Sequence, residues 1–503
     1  MQSRAFILFL LRILKMGITI FTLSLSAKYF GVSLEKDVWV LALNCIIILD
    51  LAIWGPFNET FRAKFIFFKE EFGEDEALRR TNSLLIFTNI ITIILVAFIL
   101  WKPETIAAVI APGYEGQKLT LLLFMIRVVA PSFLFNQLTQ IFISILNAYN
   151  SIYIPEIAGF ISSIISLLLI IFLAPQIGII ALAYSYYSGL ILLLLLLILQ
   201  VYVKKIALVK NLHHIKLSDT KPFLLFALPF FFPYFVGQIA GIIEKSIAST
   251  LGTGIISAID YSRKFSDILL GVLSSVFTTM LLPVLSLKFV QKDQEGFVFE
   301  FRQIYQLAFL IVTAIAAIFT ACPGAFIAIL YQQGTISEAA LLQISNLTMF
   351  YSWSAVSIFL YLIIGMSLIS AQKGKYYAFY GVTAQLIMIG VNLALYRFAG
   401  VYIFPLSLFL AHALSAWLMF RKLPYGKRLL SRTTLKYLLI LIAVVANMYL
   451  LNINVISFSS PYVTLIFNGF LFTVILVSML FTFKLDEREI LVKLYNKFLV
   501  PQK

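Results

Sequence analysis

Four charged side chains, Asp260, Arg263, Lys264 and Asp267, fall inside an otherwise apolar stretch. Their spacing puts them on one stripe of a helix. Two chemistries fit such a stripe. The acids and bases can neutralise each other as a ladder that holds helices together, or the bases can line a wet surface that receives a phosphate, with Arg giving a bidentate fork and Lys a point charge. Other ionisable groups stand alone in apolar runs, where each costs about 2.5 to 3.5 kcal/mol and so usually faces protein, water or a partner. Arg12 and Lys15 share a helix face, with Lys28 nearer the far end of the same run. For this pair, snorkelling to lipid headgroups and lining a cavity are both open. Arg127, just before Pro131, poses the same choice toward the opposite surface. Asp37 begins a second run and Asp50 lies near its middle, too deep to snorkel, so Asp50 is expected to pair with a base on a neighbouring helix or to face water. Glu244 and Lys245 follow Pro229, Pro233, Gly237 and Gly241, a spacing that predicts a kinked helix.

Other chemistry is poorly represented. His213 and His214 sit in a basic loop and His412 sits alone in an apolar run, so no metal-ligand spacing arises, and a solvated pair and a hydrogen-bonded core histidine are expected. Cys45 and Cys322 both lie in apolar runs and suggest neither a disulfide framework nor a thiolate cluster. No Walker-type phosphate loop, G-x-S-x-G elbow or H-E-x-x-H motif occurs, which argues against ATP-driven pumping by this chain alone. A membrane-embedded acyl or glycosyl transferase would need an acid or histidine at an exposed cavity mouth, and no catalytic residue is assigned.

The elements that must position these side chains are set by composition. The chain has 503 residues, 61% hydrophobic and 12% charged, too little polar surface for water to be its solvent. An all-α integral membrane fold is expected, with about fourteen transmembrane helices. Their centres fall near Ile18, Cys45, Ile91, Phe133, Ile165 and Leu192, then Phe235, Leu269, Ile315, Val356, Ile387 and Phe409, and finally Ala443 and Leu471. This divides the chain into a six-helix lobe at 1–203, a basic loop at 204–221, a second six-helix lobe at 222–420, a last helix pair at 421–483 and a charged tail at 484–503. The first run, Ala5–Phe30, lacks a clear cleavage site and is expected to be retained. The net charge of +15 reports topology, not nucleic acid, because most Lys and Arg sit in short connections, where anionic lipid headgroups attract them. One alternate set of loops carries Lys64, Lys69, Arg79, Arg80, Lys204, Lys205, Lys288, Lys292, Lys373, Lys375, Arg421 and Lys422, whereas the other holds little beyond Lys36, Lys102, Lys118 and Arg397. Both termini are therefore expected in the cytoplasm.

The two groups of six resemble weak copies. Leu146-Asn-Ala-Tyr-Asn-Ser-Ile-Tyr corresponds to Ile369-Ser-Ala-Gln-Lys-Gly-Lys-Tyr, and the turn at Ala111-Pro-Gly-Tyr corresponds to Gln332-Gln-Gly-Thr. An even number of spans separates the copies, so they share orientation, as in transporters built from parallel repeats around a midplane cavity.

Several segments together resemble the MurJ/MviN lipid II flippase family of the multidrug/oligosaccharidyl-lipid/polysaccharide exporter superfamily. They are Tyr29-Phe-Gly-Val-Ser-Leu-Glu-Lys-Asp37, Ala111-Pro-Gly-Tyr, Ile145-Leu-Asn-Ala-Tyr-Asn before Pro155, Glu244-Lys-Ser-Ile-Ala-Ser-Thr-Leu-Gly252, and Ile256-Ser-Ala-Ile-Asp-Tyr-Ser-Arg-Lys, continuing through Gly271-Val to Leu282-Pro-Val-Leu-Ser286. Gln332-Gln-Gly-Thr and Val391-Asn-Leu add to them. The resemblance implies two lobes around a cavity, a last pair forming a groove for a lipid tail, and alternating access. It places Lys264 at the family's eighth-span basic position and Asp37 at the acid that opens the second span. Glu244 falls where some members place an acid of a sodium site, and Asn392 matches an eleventh-span asparagine. Aligned through Phe30-Gly31, two first-span arginines of the family fall on Met16 and Thr22, and its second-span arginine falls on Asp50.

The expected activity is a flippase of the bacterial cytoplasmic membrane. It takes an undecaprenyl-diphosphate-linked saccharide, lipid II by family default, to the outer leaflet as a monomer, with Na+ or H+ as a possible coupling ion and no other cofactor or metal. Lys264, Arg263, Arg12, Lys15, Lys28, Arg127, Asp37 and Asp50 are the expected cavity cations and partners, and Glu244 and Asn392 the expected ion site. The alternatives are a flippase for a lipid-linked O-antigen or exopolysaccharide unit, or a cation-coupled drug or metabolite antiporter of the same superfamily.

Overall fold

A computed structural model describes residues 2–149, 151–208, 216–277, 281–332, 334–426, 432–454, 458–485 and 488. His213, His214 and most of the charged tail lie outside the described residues. The described chain is helical, with no strand among the described residues. In order the helices are α1 (Gln2–Phe30), α2 (Leu34–Ile53), α3 (Gly55–Phe72), α4 (Glu74–Trp101), α5 (Pro103–Ile110), α6 (Gly116–Val129), α7 (Ser132–Ala148), α8 (Tyr153–Ile177), α9 (Ile180–Val203), α10 (Lys221–Leu251), α11 (Ile255–Val276), α12 (Leu282–Val290), α13 (Gln294–Ala321), α14 (Pro323–Tyr331), α15 (Glu338–Ser370), α16 (Gly374–Ala399), α17 (Ile403–Phe420), α18 (Arg432–Asn454) and α19 (Pro461–Thr482).

Each of the expected span centres lies within one of these helices. Ten helical stretches are long and apolar enough to cross a bilayer, or eleven if α2 and α3, bent by 44°, count as one. The expected fourteen is consistent with these stretches: α11 carries four charges, α18 offers only Leu439–Asn452 as a shorter apolar helix, and the single 47-residue stretch Gly374–Phe420 holds the two expected centres Ile387 and Phe409. Large apolar side chains such as Ile94, Phe172 and Ile466 are mostly exposed, which suits a chain whose solvent is lipid.

Some prolines mark helix breaks, whereas Pro229 and Pro233 lie inside the continuous α10. Pro56, Pro103, Pro283 and Pro323 each stand in the first turn of a short helix after a longer one, where a missing N–H is tolerated but the preceding helix cannot continue straight. The breaks repeat along the chain. A long helix (α1, 29 residues; α10, 31) precedes a proline-broken pair (α2–α3; α11–α12). A 28-residue helix with a short proline-started successor follows in both copies (α4–α5; α13–α14). Next comes a 33-residue stretch (α6–α7; α15), and then a final pair (α8–α9; α16–α17).

Packing divides the chain into two compact units, the first comprising residues 1–260, 334–336 and 396–401, the second comprising 261–333, 337–395 and 402–503. By packing, α10 and the first turn of α11 belong to the first unit, whereas the expected lobe boundary and the break in element order both fall between α9 and α10. In the first unit, α8 and α9 approach closely through small residues, with Ser162 Oγ donating to Gly189 O at 2.5 Å and Ser166 Oγ to Ser185 O at 3.0 Å. Such contacts replace the hydrophobic drive that lipid removes. A ladder of Phe61, Phe65, Phe68 and Phe223 seats α3 on α10. In the second unit, Phe301, Tyr305 and Phe309 stack along α13, with Tyr305 and Phe309 meeting Phe359 of α15. Asn452 and Asn468 exchange amide hydrogen bonds of 2.5 and 3.1 Å between α18 and α19.

Candidate functional site

At one end of the first unit, α2 fastens the start of α11. Asp37 is fully buried, and its carboxylate accepts from the Gly254 N–H at 2.5 Å, the Ser257 N–H at 2.7 Å and the Ser257 hydroxyl at 2.5 Å. The first N–H groups of a helix have no partner within it, and a carboxylate there both accepts them and meets the positive end of the helix dipole. Lys36, also buried, pairs with Asp260 at 3.5 Å, one turn further along α11. Sequence reasoning treats Lys36 as a loop lysine and misses it. The signal available was its place in the first turn of α2, behind the Ser33 cap.

Other motif segments gather at the same end. Gly254 adopts φ of +86°, and a Cβ there would lie 2.5 Å from Val32. Gly31, with φ of +57°, lies against Thr335. A Cβ on Gly113, in the Ala111–Tyr114 turn, would lie 2.7 Å from the Ser249 carbonyl oxygen. Lys118 donates to Thr253 at 2.7 Å. The residues that carry the family resemblance in this unit are thus largely those that close one end of it.

Arg12 and Lys15 do face one way, toward α8. Arg12 donates to Glu156 Oε1 from Nη2 at 2.9 Å and from Nε at 3.1 Å. Lys15 lies beside Gly159, where an added Cβ would be 3.2 Å from its ammonium. Glu156 is absent from the sequence-derived site although its position, three residues before Gly159, mirrors the Arg12–Lys15 spacing. Lys28 is exposed, with its ammonium 5.8 Å from the centre of the Tyr29 ring. Arg127 is an exposed group near the end of α6, 3.5 Å from an equally exposed Glu104.

Asp50 corrects an expectation. Expected to pair with a base or to face water, it is instead buried against the neutral amide of Asn136 on α7, and its Oδ1 has no partner among the described residues. Glu244 is buried beside Lys245, 3.0 Å away, so the two charges offset each other locally. Asn392 is buried in α16 with its side-chain oxygen unpartnered among the described residues.

The α11 stripe is neither a complete ladder nor wholly free. Arg263 lies 3.4 Å from the exposed Asp267, and Asp260 is engaged by Lys36. Lys264 is half-buried and forms no ion pair among the described residues. His412 is a hydrogen-bonded core histidine, with Nδ1 at 2.8 Å from Leu408 O and its ring edge-on to Tyr361. Among the described residues no three His, Cys, Asp or Glu side chains gather as metal ligands do.

The family model described as lipid II flippase MurJ matches residues 26–472. The chain belongs to the lipid II flippase MurJ family. Among MurJ relatives, the lipid II flippase MurJ of Burkholderia cenocepacia is 25% identical over 366 residues, 70% of each chain. A probable lipid II flippase MurJ of Buchnera aphidicola subsp. Acyrthosiphon pisum is 23% identical over 446 residues, 85% of this chain and 84% of that one. In structure, a lipid II flippase MurJ in an inward closed conformation matches with a TM-score of 0.76 at 20% identity, covering 96% of this chain and 98% of that one. An inward-facing multidrug resistance MATE transporter of the MOP superfamily matches with a TM-score of 0.68 at 15% identity, covering 83% and 97%. The chain is thus a multi-pass membrane protein of a transporter family with the MurJ fold.

Proposed function

We propose that this MurJ-family chain moves an undecaprenyl-diphosphate-linked saccharide, with lipid II first among them, from the inner to the outer leaflet of a bacterial cytoplasmic membrane. Both termini lie in the cytoplasm, no bond is made or broken, and the chain acts as a monomer. Two six-helix lobes, 1–203 and 222–420, alternate access, and the last pair, 421–483, guides the isoprenoid tail. A sugar diphosphate cannot enter hydrocarbon unaided, whereas a hydrated passage with fixed cations can carry the head while the tail stays in lipid. The single observation that carries this reading is Lys264, a half-buried ammonium in a helix of a flippase-family chain with no carboxylate paired to it among the described residues. Arg263, Arg12, Lys15 and Lys28 supply further positive charge, and Arg127 serves the opposite surface. Asp37 and Lys36 hold the helix that presents Lys264. The membrane potential, worth about 2.3 kcal/mol per charge per 100 mV, or a Na+ or H+ gradient acting at Glu244 and Asn392, supplies the energy.

A second reading has one observation in its favour. Asp50 stands where the resembling family carries an arginine, which fits a saccharide headgroup other than lipid II, such as an O-antigen or exopolysaccharide unit. Depletion of the protein followed by analysis of inner-leaflet lipids separates the readings. Accumulated lipid II supports the first, another polyprenyl-diphosphate saccharide the second, and an unchanged pool refutes both.

A further inference from the structure

The second unit contains a long stretch of chain without an acid. Between Glu338 and Asp486 no Asp or Glu occurs, while Lys373 and Lys375 fall at the α15–α16 turn and Arg421 and Lys422 at the end of α17. The fold draws these four together within the second packing unit. Lys373 donates its ammonium to the Lys422 backbone carbonyl at 3.1 Å, which ties the turn to the end of α17. The ammoniums of Lys375 and Lys422 lie 5.4 and 5.7 Å from the centre of the same ring, that of Tyr376. Arg421 lays its guanidinium 3.7 Å from the centre of the Trp417 ring. Lys375, Arg421 and Lys422 are exposed, and none of the four cations pairs with a carboxylate among the described residues.

Cations gathered around shared rings without an acid repel one another, and an anion that joins them removes that cost. Arg offers such an anion a bidentate fork and Lys a point charge, the pattern that receives phosphate. The same face of α17 supplies a second, apolar contact. Leu410, Leu414 and Trp417 precede Arg421 at helical spacing, and all three are exposed. Trp prefers the boundary between headgroups and hydrocarbon, where its ring is apolar and its N–H wet. A ligand that matches both parts has a phosphate at the helix end and an apolar chain along the helix. Free phosphate would leave the apolar stripe without a role, whereas a membrane phospholipid uses both.

We propose that Lys375, Arg421 and Lys422, with Tyr376 and Trp417 as their ring platform, hold the headgroup of one anionic phospholipid of the surrounding bilayer, with its acyl chain on the Leu410–Leu414–Trp417 stripe. This lipid stays in its leaflet as a fixed ligand and is not transported. Lys373 acts through the backbone, holding the two basic segments side by side. Each Lys or Arg near an anionic membrane surface is worth about 1 kcal/mol, and three on one headgroup localise that attraction.

The test is quenching of Trp417 fluorescence by bromine-labelled acyl chains, in full-chain protein in phosphatidylcholine nanodiscs that carry a minor fraction of either brominated phosphatidylglycerol or brominated phosphatidylcholine. The Trp417 signal is the difference between each protein and the same protein carrying Trp417→Phe. Brominated phosphatidylglycerol quenches Trp417 at least threefold more than brominated phosphatidylcholine in the wild type. The preference disappears in Lys375→Gln/Lys422→Gln, which removes two exposed, unpaired charges and leaves the Arg421–Trp417 stack in place. It is kept in Lys204→Gln/Lys205→Gln, which removes equal charge from the first unit. Equal quenching by the two lipids in the wild type overturns the site, as does a preference that survives Lys375→Gln/Lys422→Gln. A preference lost equally in both double variants also overturns it, since net charge then suffices. Should Lys375→Gln/Lys422→Gln fail to fold, Lys422→Gln alone is expected to halve the preference, and an unchanged preference overturns the site. None of these readouts involves translocation of a saccharide, so failure here leaves the proposed substrate untouched.

Discussion

Replacing Asp37 by Ala removes three hydrogen bonds at once from the start of α11, those from the Gly254 and Ser257 N–H groups and the Ser257 hydroxyl. Bonds to a charged acceptor are worth about 1.5 to 3 kcal/mol each, but losing a helix cap costs only about 0.5 to 2 kcal/mol as measured, because water and small shifts recover part of it. Asp37 is fully buried, which limits that recovery, so a local loss of about 3 kcal/mol is expected. At 1.4 kcal/mol per tenfold, that is about a 100-fold rise in the hydrogen-exchange rate of the Gly254 and Ser257 amides. Asp37→Asn keeps one acceptor oxygen without the charge, and a rise of roughly fivefold, about 1 kcal/mol, is expected. Amide exchange followed by mass spectrometry on peptides spanning 252–260 reads both variants directly. Exchange in Asp37→Ala within about threefold of wild type would refute the capping argument.

Arg12→Ala and Glu156→Ala are expected to show a coupling of about 1 kcal/mol in a double-mutant cycle of unfolding, since Arg12 and Glu156 are 37% and 24% exposed and a partly solvated pair is screened. Gly113→Ala drives a Cβ to 2.7 Å from the backbone carbonyl of Ser249, which cannot rotate away, so a loss of about 1 to 3 kcal/mol is expected by thermal unfolding. Gly159→Ala meets only the flexible end of Lys15, at 3.2 Å, and should change stability by less than about 0.5 kcal/mol in the same assay.

The helical architecture was legible because apolar runs of spanning length are written directly in the sequence. Ile18, Cys45, Ile91 and the other expected centres all fall in helices for that reason. What was not legible is where those helices break. The α2–α3 bend follows from Gly55-Pro56, yet α3 is rich enough in Phe57, Phe61, Phe65 and Phe68 for its helix to continue as a packed element instead of ending in a loop. The spacing of Asp260, Arg263, Lys264 and Asp267 puts them on one face of α11, but helix periodicity says nothing about which neighbour takes which charge. Lys36 claims Asp260, and Glu156 meets Arg12, through pairings far apart in sequence. The amide partner of Asp50 was missed for the same reason. A carboxylate in lipid suggests a base, whereas the tertiary fold supplied Asn136.

In the proposed function, transport depends most directly on positive charge at Lys264. The direct measurement is translocation of a fluorescent undecaprenyl-diphosphate saccharide in proteoliposomes carrying wild type, Lys264→Arg and Lys264→Ala at equal protein content. The account predicts transport by wild type, partial retention in Lys264→Arg, and at least a tenfold slower rate in Lys264→Ala with folded protein still in the membrane. A Lys264→Ala rate equal to that of an active wild type would contradict it.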